Sequence, residues 1–168
     1  MRYFSEIWSS GDLTEEQGSA IRDAYWARIE ALKPQLSPAV RKLAVDINLH
    51  DGLIRCVTLD RGARILTISL RCGDLQIGYC DVDLSYVDVD TDRLDVGMLR
   101  AIATDTETEL RYDEIDLELP NSFVHRILFA PAREIEIVFR SLRLSTEPQP
   151  DRELGEDSGQ YREASGAG

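Results

Sequence analysis

The chain has 168 residues, 43% hydrophobic and 30% charged, enough for one well-buried core and too few for two comfortable domains. With 31 acidic against 19 basic side chains, its net charge of -12 repels phosphate backbones and anionic lipid surfaces. Nucleic-acid and membrane-surface roles are therefore set aside, and a basic protein partner is favoured. The excess is unevenly placed: residues 1–80 carry ten acidic and ten basic side chains, residues 81–168 carry 21 and nine. No apolar run approaches the roughly 18 residues of a membrane span, and the opening lacks a signal-peptide apolar core, so a cytoplasmic protein is expected. Cys56, Cys72 and Cys80 have no metal-ligand spacing and read as reduced, packed thiols.

In chain order, Tyr3, Phe4, Ile7 and Trp8 make the first residues a packed segment, with a short helix as one option. Thr14-Glu15-Glu16-Gln17 has the form of a capping box, and Ile21, Tyr25, Ile29 and Leu32 then repeat at helical spacing up to Pro34. Ser37-Pro38 starts a second helix, with Val40, Leu43, Ala44 and Ile47 on one stripe and Gly52 as its stop.

After Gly52 the period changes to about two. Strands are predicted over Leu53–Leu59, Ala63–Cys72 and Leu75–Asp83, the last continuing through the alternating Val82, Leu84 and Tyr86. Asp60-Arg61-Gly62 and Gly73-Asp74 are the turns between them. Val96–Ala103 fits either a helix or a strand. Thr108–Leu119, Phe123–Phe129 and Glu134–Leu144 read as strands, with a turn at Pro120-Asn121-Ser122. Helices followed by six or seven consecutive strands predict an α+β fold: N-terminal helices on one face of an antiparallel meander. Residues 1–146 form the expected domain, and the polar 147–168 reads as an acidic disordered tail.

No segment carries a complete catalytic or cofactor motif: GxSxG, P-loop and GxGxxG are all missing. No enzyme activity and no cofactor are therefore expected. His50-Asp51, at the corner between helices and strands, can reach one pocket together, a histidine oriented by a carboxylate. The plainer alternative is that Asp51 and Gly52 make the turn while His50 bonds to backbone. His125 shares a strand face with Phe123, Ile127 and Phe129, as a core or cavity-lining histidine would. A pocket near His50, Asp51 and His125 would suit a small-ligand or regulatory module, or an unrecognised enzyme.

Asp88-Val89-Asp90-Thr91-Asp92 begins like a calcium loop, but Arg93 stands where glycine is required and Leu99 where the bidentate glutamate belongs, so no metal is expected. These carboxylates, with Asp113 and Glu114, could instead form one acidic face with Tyr86 and Tyr112 as aromatic anchors. Such a face suits docking on a basic protein, or merely a solvated edge. Exposed edge strands also leave a homodimer open.

Leu49-His50-Asp51-Gly52 followed by Leu53–Leu59, then Val82-Asp83-Leu84-Ser85-Tyr86, His125–Phe129 and Glu134–Phe139, resembles small bacterial proteins with a Leu/Phe-His-Asp-small motif ahead of an antiparallel sheet. The opening Met1-Arg2-Tyr3-Phe4 is similar to one such family of unknown function. Related groups are immunity proteins of bacterial polymorphic toxin systems, which bind and neutralise a cognate toxin. The resemblance implies a non-enzymatic bacterial binding protein of the immunity type, and carries no catalytic residues with it.

Overall fold

The computed structural model describes residues 1–119, 121–155 and 158–164. The fold is α+β, with helices leading and an eight-stranded sheet following among the described residues. The first elements are α1 (Glu6–Ser9), α2 (Glu15–Leu32) and α3 (Pro38–Asp46). The capping box forms in full at Thr14 and Gln17. Ser37 accepts from the Val40 amide, with proline next to it at the first helical position. None of the helices is long and apolar enough to cross a membrane.

The strands are β1 (Gly52–Asp60), β2 (Ile65–Asp74), β3 (Gly78–Val87), β4 (Glu109–Leu119), β5 (Ser122–Ala130), β6 (Arg133–Phe139), β7 (Ser141–Gln149) and β8 (Gln160–Ala164). Helix α4 (Val96–Thr104) occupies the stretch that sequence left open between helix and strand, capped by Asp95, which accepts from the Met98 amide. The sheet runs β6-β5-β4-β1-β2-β3-β7, with β8 beside β1. Two three-stranded meanders are thus joined edge to edge, and β7 returns to the far side of β3.

The expected strand over Glu134–Leu144 is broken at Arg140. Its two halves become opposite edges of the sheet, separated in sequence by that one residue. Edges so linked lie within two Cα–Cα steps of each other, so the sheet is rolled. Bonds from Asp90 N to Val138 O and from Arg140 N to Val87 O seal this corner. Its inner face carries Ile68, Leu84, Ile115, Ile127 and Phe139, all fully buried in one core.

A second seam lies between β1 and β4, which share only two residue pairs, Gly52↔Leu110 and Leu53↔Glu109. Beyond them β8 pairs with β1, in parallel, over Cys56–Asp60. On the other side, the β4 edge is covered from the helical layer: Tyr25 Oη accepts from the Ile115 amide at 3.1 Å, and Asp51 N donates to Leu110 O.

The disordered tail expected from residue 147 is corrected for the described residues. Strand β7 continues through Gln149, and Arg71 holds the segment that follows by donating to the carbonyls of Asp151 (2.9 Å) and Glu153 (2.7 Å). A polar composition did not prevent order, because a buried guanidinium and an open edge of β1 supply the backbone partners. Residues 156, 157 and 165–168 of that tail, and Pro120 of the expected turn, lie outside the described residues.

Candidate functional site

The seam between β4 and the helices opens into a cleft of about 430 Å³. Its walls come from the end of α3 (Leu43–Asp46), the linker Ile47–His50, the β4 residues Arg111–Asp113, and Phe4, Tyr25 and Trp26. Local chemistry explains why the chain opens here. Asp51 takes a positive φ of 58°, and the Gly52 amide bonds to Leu49 O, making a tight corner after the helix. A Cβ at Gly52 would stand 2.8 Å from that carbonyl oxygen, so glycine is required. In β4, register slips between Leu110 and Tyr112, a bulge that turns Arg111 to solvent beside the corner.

His50 is about half exposed at the mouth, with its ring stacked on Tyr112 at 5.0 Å. Its Nδ1 donates to the Arg111 carbonyl, since a carbonyl oxygen can only accept. That assigns the tautomer of the neutral ring and leaves Nε2 as an acceptor, 3.6 Å from Asp51 Oδ1. The turn account of His50-Asp51 describes the corner: Asp51 and Gly52 make the turn and His50 bonds to backbone. His50 lines the cleft, but Asp51, 60% exposed at its side chain, does not, so the two do not share one pocket.

His125 lies deep in the core with no exposed surface. Its partners are side chains: Tyr86 Oη at 2.7 Å from Nδ1, and Asp113 Oδ2 at 3.0 Å from Nε2. A carboxylate only accepts, so Nε2 carries a proton toward Asp113, and in the neutral ring Nδ1 accepts from Tyr86. Burial, then the Asp113 charge, holds the tyrosine hydroxyl well above its usual pKa, in its donating form. The resulting chain, Tyr86 to His125 to Asp113, runs from the centre of the core to the cleft. Asp113 is only 22% exposed at its side chain, and among the described residues its Oδ1 has no partner. Of His50, Asp51 and His125, His50 alone lines the cleft, and buried His125 is linked to it through Asp113.

The aromatic wall is continuous. Trp8 stands edge-on to Tyr112 at 4.7 Å, Phe4 lies 4.8 Å from Trp8 and 4.9 Å from Tyr25, and Trp26 follows at 5.5 Å from Tyr25. Sequence spacing placed Tyr25 in a helix stripe and Phe4 in a packed segment. Their convergence on Tyr112, about 90 residues away in the chain, had no local signal.

The acidic docking face is corrected. Tyr86 is fully buried and cannot anchor a partner, because its inward strand position puts the hydroxyl on His125. Tyr112 is half-buried in the aromatic wall. Glu114 is buried too, and accepts from the amides of Arg2, Tyr3 and Phe4, the last at 2.7 Å. Asp88, Asp90 and Asp92 do remain at or near the surface, but Asp88 and Asp90 share a depression with Arg64, Arg93 and Arg140.

Other acidic residues of the series are ion-paired by arginines from distant segments: Asp116 with Arg2 and Arg28, Asp105 with Arg133, Glu109 with Arg152, and Glu118 with Arg93. Folding therefore interleaves charges that are segregated in the sequence. Among the described residues, no three His, Cys, Asp or Glu side chains converge in a way that could hold a metal ion. No family model, curated protein or solved structure matches this chain.

Proposed function

We propose that this is a non-enzymatic binding protein whose site is the cleft between α3, the Ile47–His50 linker and β4, acting as a small-ligand or regulatory module. The observation that carries the reading is the Tyr86–His125–Asp113 chain. A satisfied buried polar network rigidifies the side chains it joins, and here its outer end is a carboxylate in a half-open, aromatic-walled cleft. Cavities of this size with a few fixed polar groups among apolar walls are the usual form of small-ligand sites.

A thermal-shift screen of a small-metabolite library tests it. A ligand at about a hundred times its Kd should stabilise the fold by about 2.7 kcal/mol. The shift should shrink in His50→Ala and Trp26→Ala, both at exposed positions where folding is spared. Hits that stabilise these variants as well as the wild type would place binding elsewhere and overturn the reading.

The second reading is the immunity-type inhibitor, docking on a basic protein. It is favoured by the net charge of -12 and by exposed apolar side chains at the cleft rim, Trp26 (43%) and Val45 (39%). Under it, capture of a basic protein would weaken steeply as ionic strength rises.

A further inference from the structure

Resting on the cleft as the binding site, we infer that its ligand is a small cation: an amine carried on an apolar or aromatic body. The charged acceptor on the cleft wall is Asp113, one of whose oxygens holds His125 while the other has no partner among the described residues. The rim adds Asp46, and with it the C-terminal turn of α3, whose last residues Leu43–Asp46 line the opening.

The final carbonyls of a helix carry partial negative charge, which is ordinarily offset by a basic side chain in the last turn, and α3 has none there. Trp26, a lining residue 43% exposed, supplies aromatic surface of the kind on which ammonium groups rest.

The one fixed cation of the cleft, Arg111, stands exposed on the bulge. It faces two lining carboxylates, Asp46 and Asp113, so the cleft keeps a negative balance. The long-range field of a chain with net charge -12 favours the same sign of ligand. The aromatic wall supplies the apolar contact that an amine alone would lack, so the body of the ligand lies against Trp26 while its ammonium group meets Asp113.

Three probes of one shape separate the possibilities: phenethylamine, phenylacetate and 2-phenylethanol, titrated into the ¹⁵N-labelled full chain. The amides of Asn48, His50, Tyr112 and Asp113 are the readout. Phenethylamine should shift them, and its affinity should fall about tenfold or more in Asp113→Asn and in Trp26→Ala, through loss of the charge-assisted contact and of the ring face. Asp113→Asn retains an oxygen acceptor toward His125, so the buried chain survives. Should its spectrum show unfolding, Asp46→Asn on the rim replaces it, with a smaller loss expected. If phenylacetate or 2-phenylethanol shifts the same amides as strongly as the amine, the ligand class is wrong while the cleft remains the site. If none of the three moves those amides, the class and the cleft both fall.

Discussion

Tyr86 and His125 show how little a residue type says before its neighbours are known. Tyr86 lies on a strand whose end alternates, and His125 on one buried along nearly its whole length, so that both side chains point inward. What alternation cannot supply is the partner: Tyr86 comes from β3 and His125 from β5, 39 positions apart, and the rolled sheet brings them into contact. Removing the hydroxyl tests the chain directly. In Tyr86→Phe, Nδ1 of His125 is left buried without a donor, which costs about 1–3 kcal/mol. The urea midpoint should fall by that amount divided by the slope, and the slope should be unchanged. A midpoint equal to wild type would mean that the buried bond contributes nothing.

At the scale of elements, the strands were legible wherever one face is wet and the other dry. The clearest cases are β1, β2 and β3, whose ends lie within a few residues of the apolar runs. The break at Arg140 was missed although the alternation changes phase there, Ile135, Ile137 and Phe139 falling on odd positions and Leu142 and Leu144 on even ones. Strand β8 was hidden too: in Gln160–Ala164 only Tyr161 favours a strand, and the segment is ordered by what it pairs with.

Arg71 is the clasp for that addition. It is 7% exposed at its side chain, its Nε donates to Asp81 at 2.6 Å, and one terminal nitrogen holds the carbonyls of Asp151 and Glu153. In Arg71→Leu, Asp81 keeps Arg55 as a partner at 2.9 Å, so the sheet should persist while the clasp is lost. Hydrogen exchange should then accelerate over residues 160–164 and stay slow in β2 and β3. Unchanged protection of β8 would show that strand pairing alone retains it.

For the whole molecule, the buried ionisable groups set a direction for pH. Burial pushes the Cys72 thiol up to about 12 from 9.0, and burial followed by the charge of Asp113 raises Tyr25 and Tyr86. All three are neutral in the native state and ionise more easily once unfolded. Their contribution is therefore complete below pH 9 and is lost as pH climbs toward and through 12. Between its unfolded and folded values, each group steepens the decline by about 1.4 kcal/mol per pH unit. Calorimetry from pH 8 to 11 should show Tm steady at first and falling beyond pH 9. Cys72→Ala should start lower and fall less steeply. A flat profile to pH 11 would contradict this burial.

What the sequence determined by itself was local. The Thr14–Gln17 capping box, the Ser37-Pro38 helix start, the Gly52 corner and the two-residue period after it all rest on interactions spanning a few residues, and they suffice for the α+β class. The rolling of the sheet, the ordering of the tail and the site itself were decided only in three dimensions. The cleft joins Phe4, Trp26, His50 and Asp113, and the acidic half of the chain meets arginines drawn from segments as distant as Arg2 and Arg152. Hydrogen bonds and charges act over ångströms of space, whereas composition counts them along the chain. A face that looks uniformly acidic in sequence is therefore divided on folding into ion pairs, a buried network and the carboxylates that stay at the surface.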